Sequence, residues 1–266
     1  LLAYSQTFFP HEEVTAYLNS LLARAHHLLY RGQFSSLFQI REFFNRTFVK
    51  LIREQQKFIV IALLLFLVGA AGGYLSVWSN PLNLYTILPA QIANGVDPGQ
   101  LGKNSEAMDS AIMSVSIMTN NIQVAFLAFL GGITLGVFTV YILINNGIII
   151  GALAALFVEY GKAYDFWAYI VPHGMIELTA IFIAGGSGLL MGYKILVPGP
   201  HPRRYQVKRQ ALRSVQMLLG TIPLFVIAGL IEGYITPAPI PLEAKYGVAL
   251  LTVVVLIAYL AIKRPD

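Results

Sequence analysis

Three ionisable side chains stand inside or at the ends of long apolar runs: His173, Glu177 and Glu232. His173 and Glu177 are four residues apart, so on a helix they share one face. Ionisable groups at membrane depth are expensive and normally face a bundle interior or a wet cavity. Two uses fit the trio. Glu177 hydrogen-bonds His173 and pins its helix while Glu232 holds the turn that follows it, or the three form a site for an ion, proton or polar headgroup. Asn121, at the start of an earlier apolar run, and Asn146 are further members of this polar set. A catalytic use is the weakest reading. His173-Gly174-x-x-Glu177 lacks the second histidine of an H-E-x-x-H zinc motif. Ser187 sits among glycines but in a helical run, not in the strand-turn-helix setting of a serine nucleophile. No metal, cofactor or catalytic residue is expected.

The elements that must position these groups are membrane helices. Of 266 residues, 56% are hydrophobic and 12% charged, which is too apolar for a soluble domain of this size. Absence of cysteine removes disulfides, thiolate metal sites and cysteine nucleophiles. No secretory signal is expected, because the first long apolar run opens near Phe58. The expected fold is all-α, an integral membrane protein of about six transmembrane helices. Residues 1–57 form amphipathic helices on the cytoplasmic side, 58–262 the membrane domain, and 263–266 a cytoplasmic tail. Spans are expected at about 58–78, 122–144, 148–158, 166–196, 215–234 and 247–262. Residues 79–120 make a long extracytoplasmic connection, and 198–214 a basic cytoplasmic segment. Pro172-His173-Gly174 is expected to break the fourth span. Asn145-Asn146-Gly147 reads as a tight turn. The run 148–158 is then too short to cross the hydrocarbon core upright.

Small residues mark the expected helix contacts. Gly132 and Gly136 form a GxxxG pair, as do Gly147 and Gly151, with Gly174 and Gly188 as further packing positions. Arg46, Lys50, Arg53 and Lys57 make a basic stripe at helical spacing that runs directly into the first span. Such a stripe suits a lipid surface better than nucleic acid. Arg203 and Arg204 open the second basic segment. With six spans, residues 1–57, 194–213 and 263–266 share one side and hold seven, six and two of the 18 Lys and Arg residues. Lys103, Lys162 and Lys245 fall on the other. This asymmetry places both termini in the cytoplasm.

Three stretches, NNGIIIGALAALF, VPHGMIELTAIFIAGGSGLLMG and IEGYITP, resemble the stage II sporulation protein M family of bacterial membrane proteins. YLNSLLARAHHLLY and FFNRTFVKLIR resemble the cytoplasmic front end of its non-sporulation members. The likeness runs from about Tyr17 to Pro237, and His173, Gly174, Glu177, Asn146, Gly147 and Glu232 fall on the family's motif positions. Phe48-Val49 departs from the Phe-Pro pair of many members. The resemblance implies a multi-pass protein of the bacterial cytoplasmic membrane. The sporulation member belongs to a septal complex that brings peptidoglycan-degrading enzymes to the engulfing membrane. The expected function is therefore a non-enzymatic scaffold in envelope remodelling, bound to lipid, to a second copy of itself as a homodimer, and to envelope partner proteins. The alternative is a small channel or transporter lined by His173, Glu177 and Glu232.

Overall fold

A computed structural model describes residues 13, 15–17, 19–22, 36–88, 96, 98, 107–197, 199 and 202–261. Two compact units divide the chain, residues 1–47 and 48–266. The first contains helix α1, Ser36–Glu42, and a π-helical stretch, Phe43–Thr47. Leu37, Phe38 and Ile40 of α1 are exposed. His26 and His27 lie outside the described residues, as does most of the amphipathic stretch expected around them.

The second unit is built on six long helices. They are α2 (Phe48–Ser79), α3 (Ala107–Leu130), α4 (Val137–Glu159), α5 (Ala163–Leu196), α6 (Arg203–Tyr234) and α7 (Leu242–Ala261). Among the described residues, five helices are long and apolar enough to cross a membrane: the one ending at Ser79, α4, α5, α6 and α7. At 1.5 Å per residue, the 23 residues of α4 reach about 34 Å, more than a hydrocarbon core needs. Helix α5 is the axis. It packs on every other long helix of the unit, and 72% of its most apolar stretch is buried.

Two expected interruptions are corrected. Pro172 lies inside α5, which runs without a break through His173 and Gly174. A proline deletes one backbone donor, but tight packing on all sides holds the remaining helical bonds in line. Asn145-Asn146-Gly147 is likewise mid-helix. Asn146 Nδ2 donates to the Ile142 carbonyl at 2.8 Å, so the amide folds back on its own helix instead of making a turn. The real turn is Gly131–Gly136, where Leu135 (φ 58°) and Gly136 (φ 87°) adopt left-handed backbone. Thr134 Oγ1 donates to Gly131 O, and Thr139 Oγ1 donates to Ala128 O across the turn. The shift of fourteen residues removes the short third span: the stretch expected as 122–144 and 148–158 is the end of α3, the turn, and a full-length α4. Gly132 and Gly136 therefore do not share a helix face. Leu135→Asn is expected to hold or raise the melting temperature, because Asn tolerates left-handed backbone. Gly136→Ala should destabilise by about 1–2 kcal/mol, since it places a Cβ at φ 87°. Thermal melts in detergent of the two variants check both.

The tightest contact joins α2 and α4, which run parallel. A Cβ at Gly69 or Gly73 would overlap the carbonyls of Ile144 and Ile148; one at Gly147 or Gly151 would overlap those of Phe66 and Ala70. Four glycines thus let two backbones touch, the membrane alternative to large-residue interdigitation. Gly188 approaches Ala128 and Phe129, and Gly132 approaches Gly188, which seats the α3–α4 turn on α5. Small residues recur in the core, where Ala62, Ala125, Ala180 and Ala184 surround Leu143, Ile181 and Phe225.

At one end of the unit Arg53 donates to the Leu260 carbonyl near the end of α7, 2.7 Å, and Glu54 pairs with Arg213. A cation on the last carbonyls also opposes the negative end of the helix dipole. The other end is closed by Tyr246, whose hydroxyl donates to Tyr164 O at 2.9 Å, and by the Lys162–Asp165 pair.

Candidate functional site

Tyr169, His173 and Glu177 are spaced by four along α5 and so form one polar stripe. Helix α5 turns this stripe inward: His173 is 8% exposed and Glu177 4%. Asn121 of α3 donates its Nδ2 to Glu177 Oε2 at 2.5 Å. Glu232, 6% exposed near the end of α6, lies four residues before Thr236, and the antiparallel contacts His173–Thr236 and Ser214–Ser187 bring it opposite Glu177. His173 Nδ1 meets the Thr236 hydroxyl at 3.3 Å, in the turn after α6. The Thr236 carbonyl in turn accepts from Lys245 Nζ at 2.6 Å. Lys245, at the start of α7, is 1% exposed and lies 3.7 Å from the Tyr169 ring centroid. Four helices and one turn therefore contribute to a single polar cluster toward the Tyr164–Tyr246 end of the unit.

The cluster is incompletely satisfied. Glu177 Oε1 and Glu232 Oε2 are buried and have no hydrogen-bond partner. Among the described residues no ion pair reaches either carboxyl group, because Lys245 is held by Thr236 and Tyr169. An unpaired buried acceptor costs about 1–3 kcal/mol, and more when charged. Such an arrangement is poor as a structural clamp and suited to taking up a positive species. Among the described residues no three His, Cys, Asp or Glu side chains converge as a metal centre.

The expected residues divide accordingly. His173, Glu177, Glu232 and Asn121 come together. Asn146 bonds its own helix, and no contact ties it to the cluster. Gly147, Gly151, Gly132 and Gly188 pack helices inside the unit, and Gly192 meets the Leu135–Gly136 backbone. Gly136 is one of the two left-handed residues of the turn, and a Cβ at Gly174 would meet Ile170. Arg46, Lys50, Arg53 and Arg204 are exposed, while the Arg203 side chain lies outside the described residues. Lys245, Tyr169 and Thr236 are site members that sequence reading missed. The four-residue step from Tyr169 to His173 was the available signal for one of them. Lys245 follows Pro237, Pro239 and Pro241 and precedes the expected last span, so its position in the sequence does not mark it as buried.

Comparison with known proteins fits this geometry. The family described as stage II sporulation protein M matches residues 62–237, which includes the whole polar cluster except Lys245. The chain belongs to the stage II sporulation protein M family. A domain of unknown function (DUF8413) matches residues 1–31. Uncharacterized protein MJ0793 of Methanocaldococcus jannaschii is 30% identical over 181 residues, 67% of this chain and 93% of its own length. Uncharacterized protein MJ0706 of the same organism is 30% identical over 132 residues, 48% of this chain and 58% of its own. Both relatives are archaeal, whereas the resemblance pointed to bacteria. No solved structure matches.

Proposed function

We propose that this member of the stage II sporulation protein M family is a non-enzymatic scaffold of a prokaryotic envelope-remodelling complex. One observation carries the reading: the glycine contacts that lock α2 to α4 and seat the α3–α4 turn on α5 make a fixed frame. Helix α5, unbroken through Pro172, lacks the discontinuous backbone on which many transporter sites are built. Ser187 donates to the Ala184 carbonyl inside α5, an ordinary helix bond and not a nucleophile's setting. Broad apolar faces point outward on α2 (Val60, Leu64, Val68) and α7 (Leu250, Leu251, Val254). Lipid and partner helices are the natural occupants of such faces. Gly132, Gly147, Gly151 and Gly188 are occupied within the chain, so a homodimer would use these outer faces. The channel or transporter reading is favoured by the unpartnered carboxyl oxygens.

Reconstituted vesicles separate the two. The scaffold gives no ion flux above protein-free vesicles under an imposed gradient. Flux that Glu177→Gln abolishes would replace it with the transporter reading.

The proposed setting is the cytoplasmic membrane, with both termini cytoplasmic by the Lys and Arg asymmetry. The chain has no cysteine, so single introduced cysteines report without background. Arg209→Cys is expected to react with a membrane-impermeant thiol reagent only after cells are opened. Lys162→Cys is expected to react in intact cells. The opposite pattern inverts the topology.

A further inference from the structure

The two carboxyl groups present a problem of charge that the protein alone does not solve. Glu177 and Glu232 are each more than nine-tenths buried and each carries an oxygen with no partner. The His173–Thr236 and Ser214–Ser187 contacts set α5 and α6 antiparallel, and Glu177, four residues after His173, is thereby brought opposite Glu232, four residues before Thr236. Two negative charges side by side in an apolar bundle repel each other and lose their hydration, so a proton or a counter-charge must stand with them. Among the described residues, the groups around the pair are Asn121 from α3, His173 from α5 and, across Thr236, Lys245 from α7. Asn121 is neutral, and it already donates to the second oxygen of Glu177. His173 turns Nδ1 to Thr236. Lys245 supplies one positive charge to the cluster as a whole without touching either carboxylate. With His173 neutral, two carboxylates and one ammonium leave a deficit of one positive charge.

Among the described residues, the atoms of the cluster that lack a partner are carboxyl oxygens, and the chain has no thiolate to offer. Oxygen donors select hard cations over zinc or copper. A deficit of one charge selects a monovalent ion. We propose that Glu177 and Glu232 form a binding site for a single alkali cation, Na+ or K+, and that a proton takes its place when the metal is absent. Glu177 Oε1 and Glu232 Oε2 are the first two ligands, and Asn121 holds Glu177 in position. This goes beyond the scaffold reading, because a scaffold can hold a structural ion without conducting it.

The test uses the full chain in lipid nanodiscs at constant ionic strength, with N-methylglucamine chloride exchanged for NaCl or KCl. The parent is expected to show a saturable rise in melting temperature, on the order of a few degrees, as ligand binding to the folded state requires. Glu177→Gln and Glu232→Gln should each raise the apparent Kd about tenfold or more, and the double variant should lose the response. Glu54→Gln, a partly exposed carboxylate at the opposite end, should respond like the parent. If the double variant does not fold, infrared difference spectra of the parent decide. Cation binding should remove a protonated-carboxyl C=O stretch. The proposal is overturned by an equal response in the double variant, by a parent indifferent to both salts, by an unchanged carboxyl band, or by a response to Ca2+ alone. Cation binding without flux keeps both proposals, whereas flux removes the scaffold and leaves the site.

Discussion

Gly151→Val and Gly147→Val are expected to be the most damaging single changes in the chain. Either Cβ would overlap a backbone carbonyl of α2, Ala70 O for Gly151 and Phe66 O for Gly147. A side chain can rotate away from an intruding methyl group, but a helical carbonyl cannot move without its helix. Overpacking in a close-packed core costs about 1–3 kcal/mol where side chains yield. Here the two helices must separate along several turns, so the loss should reach the top of that range or exceed it. Gly73→Val belongs with them, because it would strike the Ile148 carbonyl. Gly72 is the internal control. It is the neighbour of Gly73 in sequence, yet nothing stands within 4 Å of where its Cβ would be. Gly72→Ala should be neutral or stabilising by up to about 1 kcal/mol through helix propensity. The measurement is the fraction of monodisperse, folded protein in detergent across a temperature series. Equal behaviour of Gly72→Ala and Gly73→Ala would mean that the α2–α4 contact does not carry the fold.

These glycines also explain what could be read in the sequence and what could not. Their four-residue spacing suits close packing, and at Gly147 and Gly151 a Cβ would overlap the backbone of α2, which leaves no other residue type as an option. The partner helix was not legible: Gly69 and Gly73 carry the same spacing, but spacing alone does not pair two helices. At Gly132 and Gly136 the same pattern meant something else. There it is interrupted by Thr134, whose hydroxyl closes the turn, and by Leu135 in left-handed backbone. Leucine is a poor advertisement for positive φ, whereas Asn145-Asn146-Gly147 advertises it and does not use it. Local turn chemistry lost at both places to packing against α2 and α5. Pro172 misled for the same reason, since tertiary contacts on every side of α5 outweigh one missing donor. The polar cluster was more visible. Charged residues in apolar runs are rare enough that His173, Glu177 and Glu232 identified themselves, and neighbouring spans brought Asn121 to them. Lys245 did not, because a cation just after a proline-rich turn reads as solvated until α7 is known to tuck its first turn beneath Tyr169.

The second large effect is expected at the carboxyl pair, and its sign separates structure from site. In buffer whose only small cation is N-methylglucamine, Glu177→Gln removes a buried charge while its amide oxygen still accepts from Asn121. Glu232→Gln likewise removes charge at nearly constant shape. If the carboxyl groups were there to hold the bundle together, each variant would lose stability, as happens when one member of a satisfied buried network is neutralised. Both Glu177 and Glu232 leave an oxygen unpaired, so the native bundle already bears that penalty. Each Gln variant should therefore melt at the parent's temperature or above it. The gain should stay below about 1–3 kcal/mol, because the amide nitrogen that replaces the unpaired oxygen is itself a buried polar group without a partner. The double variant should not add to the gain, because it leaves the buried Lys245 without a carboxyl group in the cluster. A chain that becomes more stable when its intramembrane acids are neutralised is retaining them for something other than folding, which is the usual signature of a functional site. A marked loss of folded protein in either single variant would show instead that the acids are structural, with α3, α5 and α6 held in register through Asn121, Glu177 and Glu232.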